Sequence, residues 1–338
     1  MHHLLVDAVS WRIIADDIKD IYQNKTLPQK TSSYRQWANV IKLYPQKNKE
    51  EQEFWSQQIS DQPSGFTKVA EAFIAFIELD KEMTSLLLQK VPTAYHTQIN
   101  DILLTALAYS LNEMNQNKEQ NITLEGHGRE DINNKIDHSR TIGWFTTMFP
   151  VKIVLQEDLA HSIQQVKESL RRIPNKGLGF GAFAIDKASS FSLNDLPKVS
   201  FNYLGQFDAK DTDWQIIGEE SGQAIHKSNE DKNLININGA VSGGKLSFSV
   251  RSYLGEEETT TLSEKFKAQL ETIITHCVNK LDTDGPSYTP SDFNTVNISQ
   301  SLISQLEGKA KETKNSITNI YPANSLQQGF IYHDLTHT

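Results

Sequence analysis

The sequence predicts an α/β fold built on a mixed sheet. Ile99, Leu103, Ala106, Leu107, Leu111 and Met114 recur with helical spacing, as do Phe266, Leu270, Ile273 and Cys277. Beside them runs a two-residue alternation, with Leu246, Phe248 and Val250 set against Ser247, Ser249 and Arg251. Helices and strands are interspersed without a strict βαβ repeat, which implies flanking helices on strands that run both ways.

Each element follows from its own pattern. Trp11, Ile14, Ile18 and Ile21 mark one face of an amphipathic helix, with Asp16, Asp17 and Asp20 toward water, and the helix ends before Pro28. Residues 24–65 are polar and predict short helices anchored by Trp37, Leu43, Phe54 and Trp55. Asp61-Gln62-Pro63-Ser64-Gly65 predicts a turn or linker. Residues 67–79 predict a mostly buried strand. The next helix has Asn100 as its candidate N-cap. Strands follow at 122–126 and at 146–155, the second interrupted by Pro150. Ile163, Val166 and Leu170 mark a helix stopped by Pro174, and 198–204 is a short strand. Strands at 233–241 and 245–252 flank Ser242-Gly243-Gly244 and predict a hairpin. The last long helix takes Ser263 as candidate N-cap. From Leu281 to Asn319 the polar composition predicts a linker. Tyr321, Leu326, Phe330 and Leu335 then open a new apolar patch.

Composition narrows the function. The chain has 338 residues, room for about two lobes at roughly 100–200 residues each. Hydrophobic residues make up 38% and charged residues 22%, as in soluble globular proteins. A formal net charge of −9 argues against nucleic acid and against an anionic membrane surface. The single cysteine, Cys277, excludes an internal disulfide framework and a cysteine-based zinc cluster. No apolar run reaches the roughly 18 residues that span a bilayer, and Asp7 breaks the N-terminal apolar segment before it resembles a signal peptide. The chain reads as cytoplasmic.

Four constellations carry chemistry. In His2-His3-Leu4-Leu5-Val6-Asp7, adjacent histidines on an extended segment point opposite ways, so one faces a given cavity. Asp7 would hold the loop or fix a histidine tautomer. A tag remnant and a metal pair fit the same residues, although no third ligand is evident. In Glu125-Gly126-His127-Gly128-Arg129-Glu130 a carboxylate ends a strand beside a tight backbone path, or the segment is simply a polar turn. It lacks the pattern of a phosphate-binding glycine loop. In Arg140-Thr141-Ile142-Gly143-Trp144-Phe145-Thr146 an arginine among apolar neighbours needs an anion if buried, and Asp7 is its candidate; otherwise it is a surface arginine. In Phe201-Asn202-Tyr203-Leu204-Gly205, Asn202 and Tyr203 suit a pocket wall or an ordinary core strand. Gly177-Leu178-Gly179-Phe180-Gly181 reads as a mobile turn.

In this order the motifs resemble those of the epimerization domains of nonribosomal peptide synthetases, which share the condensation-domain superfamily. His2 to Asp7 resembles HHxxxD, although Ala8 stands where the condensation-type motif has Gly. Residues 125–130 resemble EGHGRE, and 140–146 resemble RTVGWFT with Ile142 in place of Val. Residues 174–181 are similar to PxxGxGxG, 201–205 to FNYLG, and 100–106 to NDxLLxA. The resemblance covers residues 1 to about 294. Ile320 to Gly329 resembles the YPLSPMQ-type opening of a following condensation domain.

This resemblance implies a two-lobed fold like that of chloramphenicol acetyltransferase, with a V-shaped cleft. Its N-terminal lobe would be incomplete here, lacking on the order of one hundred residues. Residues 1–66 would be the remainder of that lobe, 67–290 the C-terminal lobe, 291–319 a linker and 320–338 the start of the next condensation domain. The implied activity is an isomerase step in antibiotic biosynthesis: inversion of the Cα of an aminoacyl or peptidyl thioester. No intrinsic cofactor is implied, because the substrate rides on the phosphopantetheine of a carrier protein. That carrier and the neighbouring synthetase domains are the implied partners. His3 and Glu125 would be the acid/base pair. Asp7, paired with Arg140 across the lobe interface, would be structural, and His2 supporting. Asn202, Tyr203 and Trp144 would line the pocket. Amide-bond formation by a condensation domain is the competing activity, and an inert fragment that only docks a carrier is the non-enzymatic one. Arg171, Arg172 and Lys176 would either meet an acidic carrier or complement a helix C-terminus.

Overall fold

The computed structural model describes residues 2–59, 65–186, 189–207, 226, 229 and 231–336. Residues 61–64 of the expected turn lie outside them. The elements run α1 (Ala8–Tyr22), α2 (Tyr34–Lys42), α3 (Tyr44–Lys47), α4 (Glu51–Gln58), β1 (Phe73–Glu78), α5 (Lys81–Gln89), α6 (Val91–Tyr95), α7 (Ile99–Asn115), β2 (Glu119–Gly126) and β3 (Thr147–Val154). They continue as α8 (Leu159–Arg171), α9 (Leu178–Ala184), β4 (Val199–Gln206), β5 (Ile235–Ser242), β6 (Lys245–Ser252), α10 (Glu256–Thr283), α11 (Gln300–Glu312) and α12 (Ser325–Thr336).

The strands form one six-stranded mixed sheet, ordered β1-β6-β5-β4-β2-β3. β4 is parallel to β2 and β5, and the remaining pairs are antiparallel. The β5–β6 hairpin turns on Gly243 and Gly244, at φ of 60° and 75°. Two consecutive positive φ values give the turn whose twist matches a hairpin, and glycine takes them without strain. Pro150 does not interrupt β3. Among the described residues the strand pairs on one side only, with Pro150 opposite Thr123, so one missing N–H is tolerated.

Register fixes what each face carries. Leu124, Phe149 and Phe201 share the packed face, and Phe201 meets Phe248 of β6 and Phe266 of α10. The opposite face carries Glu125, Met148, Asn202, Ser249 and the exposed Ile74 and Phe76. β1 is therefore half exposed rather than mostly buried, because it is the outer strand and only its Ile77 row faces the helices. The core runs without a break across the expected division at residue 66. Trp37, Tyr44 and Trp55, from α2, α3 and α4, belong to the same buried cluster as Phe149 and Phe180.

Several helix ends differ from expectation. α7 starts at Ile99 rather than after Asn100, because the Gln98 N–H donates to the Asp101 carboxylate at 2.7 Å. α10 begins after Gly255, with Glu256, Glu257 and Glu258 complementing its dipole. Ser263 sits inside it and donates to the Thr259 carbonyl. α1 is rotated from its expected orientation, with Ile14 only half-buried. Ser10 and Ile13 are buried, while Trp11, Ile18 and Ile21 are exposed. Its Asp7 cap sets this rotation, as the site shows.

The expected linker contains ordered packing. Phe293 and Ile303 are buried, and Tyr288 stacks on His96 at 4.3 Å. Buried Lys167 donates to both Asp292 carboxylate oxygens, at 2.7 and 2.6 Å, and to the Tyr95 carbonyl. Two apolar anchors in a polar stretch of this length are below what composition resolves.

Cys277 is buried in α10, and burial pushes its thiol up to about 12, with Lys280 opposing weakly. The native protein is therefore expected to resist thiol alkylation at pH 8 and to react once unfolded, as mass spectrometry of alkylated peptides would record. Fast labelling of the folded protein would contradict this packing. Among the described residues no helix is long and apolar enough to cross a membrane.

Candidate active site

The site begins where chain start and sheet meet. His3 and Leu5 bound a short 3-10 helix ahead of α1. The His2 Nδ1 accepts from the Leu4 N–H at 3.1 Å and so caps this turn. His3 is left to the cavity, its ring 5.0 Å from that of Trp144. Glu125 reaches the same cavity from the C-terminal end of β2. Asn202, on the adjacent strand β4, donates to Glu125 Oε2 at 2.8 Å. Strand pairing thus carries the asparagine to the glutamate across 77 residues of sequence.

The cavity holds about 890 Å³, within the range of small-molecule sites. Tyr34, Trp37, Ile41, Met148, Leu178 and Ala182 give it an apolar wall, with Lys42, Gln46 and Asp186 also lining it. Glu125 keeps contact with solvent, but the surrounding protein desolvates it and raises its pKa; the charge of His3 pulls the other way and loses. A carboxylate so placed binds a proton more readily than one fully surrounded by water.

One network fixes both segments. Asp7 caps α1, accepting from the Ser10 N–H at 2.7 Å and from the Phe145 N–H at 3.0 Å. The Arg129 guanidinium donates to Asp7 at 3.2 Å, to Ser10 Oγ at 3.0 Å and to the carbonyls of His138 and Thr141. It also stacks on the Phe145 ring, 3.9 Å from its centroid. Ser10 Oγ donates in turn to the Gly143 carbonyl and accepts from the Gly143 N–H. Burial raises the Asp7 pKa, but the hydrogen bonds of Ser10 and Phe145 and the Arg129 charge outweigh it, so the carboxyl is held below its usual range.

Two expectations are corrected here. Asp7 pairs with Arg129, not Arg140. Arg140 instead pairs with Asp17 of α1, and both remain partly exposed. Both arginines stand among polar and small neighbours in sequence, and only the fold distinguishes the one that follows β2 into the interior. Tyr203 does not line the His3 and Glu125 cavity. It follows Asn202 on a strand and faces the other side of the sheet, against Leu87, Pro92 and Ile99. Trp144 lines the cavity, whereas Asn202 is not among its lining residues and instead donates to Glu125. Arg171 is engaged by the buried Asp101 at 3.0 and 2.7 Å, and Lys176 by Glu130 at 3.2 Å. Sequence reading missed Arg129, Ser10, Tyr34 and the α9 wall. Arg129 stood inside a recognised motif, so only its role was unread.

Replacing Asn202 by Ala is expected to raise the Glu125 pKa further, since its N–H favours the charged form. The acid limb of any Glu125-dependent rate should move to higher pH. An unmoved pH profile would show that this hydrogen bond does not tune the carboxylate.

A family model for the condensation domain matches residues 1–291. Bacitracin synthase 3 of Bacillus licheniformis is 34% identical over 98% of this chain, which spans 6% of that protein. Gramicidin S synthase 1 of Brevibacillus brevis is 37% identical over 87% of this chain, which spans 30% of that protein. The solved epimerization domain from the third module of tyrocidine synthetase B superposes with a TM-score of 0.75 at 33% identity. It covers 83% of this chain and is itself covered over 69%.

Proposed function

The chain belongs to the condensation-domain family, and on that premise we propose that it is an epimerization domain of a nonribosomal peptide synthetase. It would invert the Cα of an aminoacyl or peptidyl thioester held on the phosphopantetheine of a carrier protein. The observation that carries this reading is the convergence of His3 and Glu125 on one cavity, with Glu125 held by Asn202 and its pKa raised by desolvation.

One of the two takes the α-proton, leaving an enolate on the thioester, and the other returns a proton to the opposite face of Cα. The net reaction moves no other atom. Asn202 positions the glutamate, and Asp7 with Arg129 holds the His3 segment against the Phe145 loop. His3 and Glu125 act as catalytic residues; Asp7 is structural. The carrier and the flanking synthetase domains would be the partners of the reaction, with His3 supplied from residues 1–66 and Glu125 from residues 67–290.

The test uses the full synthetase carrying this segment, with its carrier loaded with an L-aminoacyl group in D₂O. Chiral analysis and mass spectrometry of the released amino acid should find the D isomer with one deuterium at Cα. An amide product without α-deuterium would assign the chain to condensation instead.

A further inference from the structure

The three glycines of Gly177-Leu178-Gly179-Phe180-Gly181 are not alike. Gly177 has a φ of 87°, and a Cβ there would lie 2.0 Å from the Phe149 ring. A Cβ on Gly179 would lie 2.5 Å from Glu51 Oε2 and 2.8 Å from the Tyr44 ring. Packing demands both. Gly181 sits inside α9 without a positive φ, and its Cβ would meet nothing within 4 Å beyond its own helix. Helix propensity opposes glycine there by roughly 1 kcal/mol relative to alanine. Gly181 lines the cavity of His3 and Glu125, as do Leu178 and Ala182 of α9, Ile185 just beyond its end and Ile41 of α2.

We infer that Gly181 leaves room for the side chain of the residue being inverted, and that this pocket selects bulky apolar side chains, aromatic or branched aliphatic. Lys42, Gln46 and Asp186 also line the cavity, but a charged side chain set against Leu178, Ala182, Ile185 and Ile41 would lose its water with little to replace it. A small side chain would leave apolar wall uncovered. Gly181 thus keeps the pocket open while its apolar neighbours set the preference, and α9 is a pocket wall rather than a mobile turn. The inference rests on the proposed site but is read out separately from it.

Binding is measured by calorimetry on the full synthetase with pantetheine amides of L-Phe, L-Leu and L-Ala, in which nitrogen replaces the thioester sulfur. The wild type should bind the Phe and Leu amides more tightly than the Ala amide. Gly181→Leu should lower the Phe-over-Ala ratio by at least about tenfold, the scale on which a filled apolar pocket discriminates. Gly181→Ala, which suits a helix, should give an intermediate ratio and carries the test if the larger variant fails to fold. Equal binding of the three amides by the wild type would overturn the inference. So would an equal loss for all three in the variants, which would place the shared pantetheine arm there. Failure of the epimerization reading would look different: the amides would keep their ranking while the α-proton of an L-Phe thioester failed to exchange.

Discussion

Glu125→Gln should cost about 10²–10⁴-fold in α-proton exchange, the usual contribution of a positioned acid or base. Gln keeps the shape of the side chain and an oxygen to accept from Asn202, so the loss isolates the proton site from the geometry. Stability should not fall. A carboxyl whose folded pKa is raised stabilises the fold below its unfolded value, near 4.3. That contribution is lost as pH rises through the folded pKa. At neutral pH the wild type therefore carries the cost of a desolvated charge, which the amide removes. The expected signature is lost deuterium incorporation with an unchanged or slightly raised melting temperature. Unchanged D-to-L ratios in the carrier-bound product would remove Glu125 from the mechanism.

Asp7→Asn should destabilise the protein by about 3–5 kcal/mol, the scale of breaking one partner of a buried ion pair. Asn can still cap α1, so the effect reports the charge left alone on Arg129, whose side chain is 7% exposed. Arg129→Met should be comparably harmful, because it strands the buried Asp7. The double variant should be less destabilised than the sum of the two, and urea denaturation of all four proteins measures the difference. The pH dependence has the opposite sign to that of Glu125. Asp7, with a lowered folded pKa, stabilises above its unfolded value near 3.9, and that contribution is lost as pH falls through the folded pKa. An Asp7→Asn protein as stable as the wild type would dissolve the argument for a structural role.

Much of the sheet was legible because strands and helices bury side chains at different periods. The β5–β6 hairpin was visible from alternation and two glycines, and α7 and α10 from their apolar rows. Helix ends were less so, since Gln98 and Gly255 act through backbone geometry and not through the strongest capping types. The rotation of α1 was hidden because Ser10, a polar residue, is the one drawn inside by Gly143 and Arg129. His3 and Glu125 were legible as motifs. Their shared cavity, the exchange of Arg140 for Arg129 and the turning away of Tyr203 needed the sheet register, which no local pattern encodes.

The packing after α10 bears on where such a synthetase can be cut and rejoined. A splice near residue 291, chosen from the polar composition, would strip Asp292, Phe293 and Ile303 from the body that holds them. Lys167 would be left buried without its counter-ion, and His96 without its stacking tyrosine if Tyr288 went too. A junction beyond Ile317, whose carbonyl accepts from the Tyr288 hydroxyl, keeps the whole clasp on the donor side. A chimera joined at the later seam keeps this packing whole, and one joined at the earlier seam opens it.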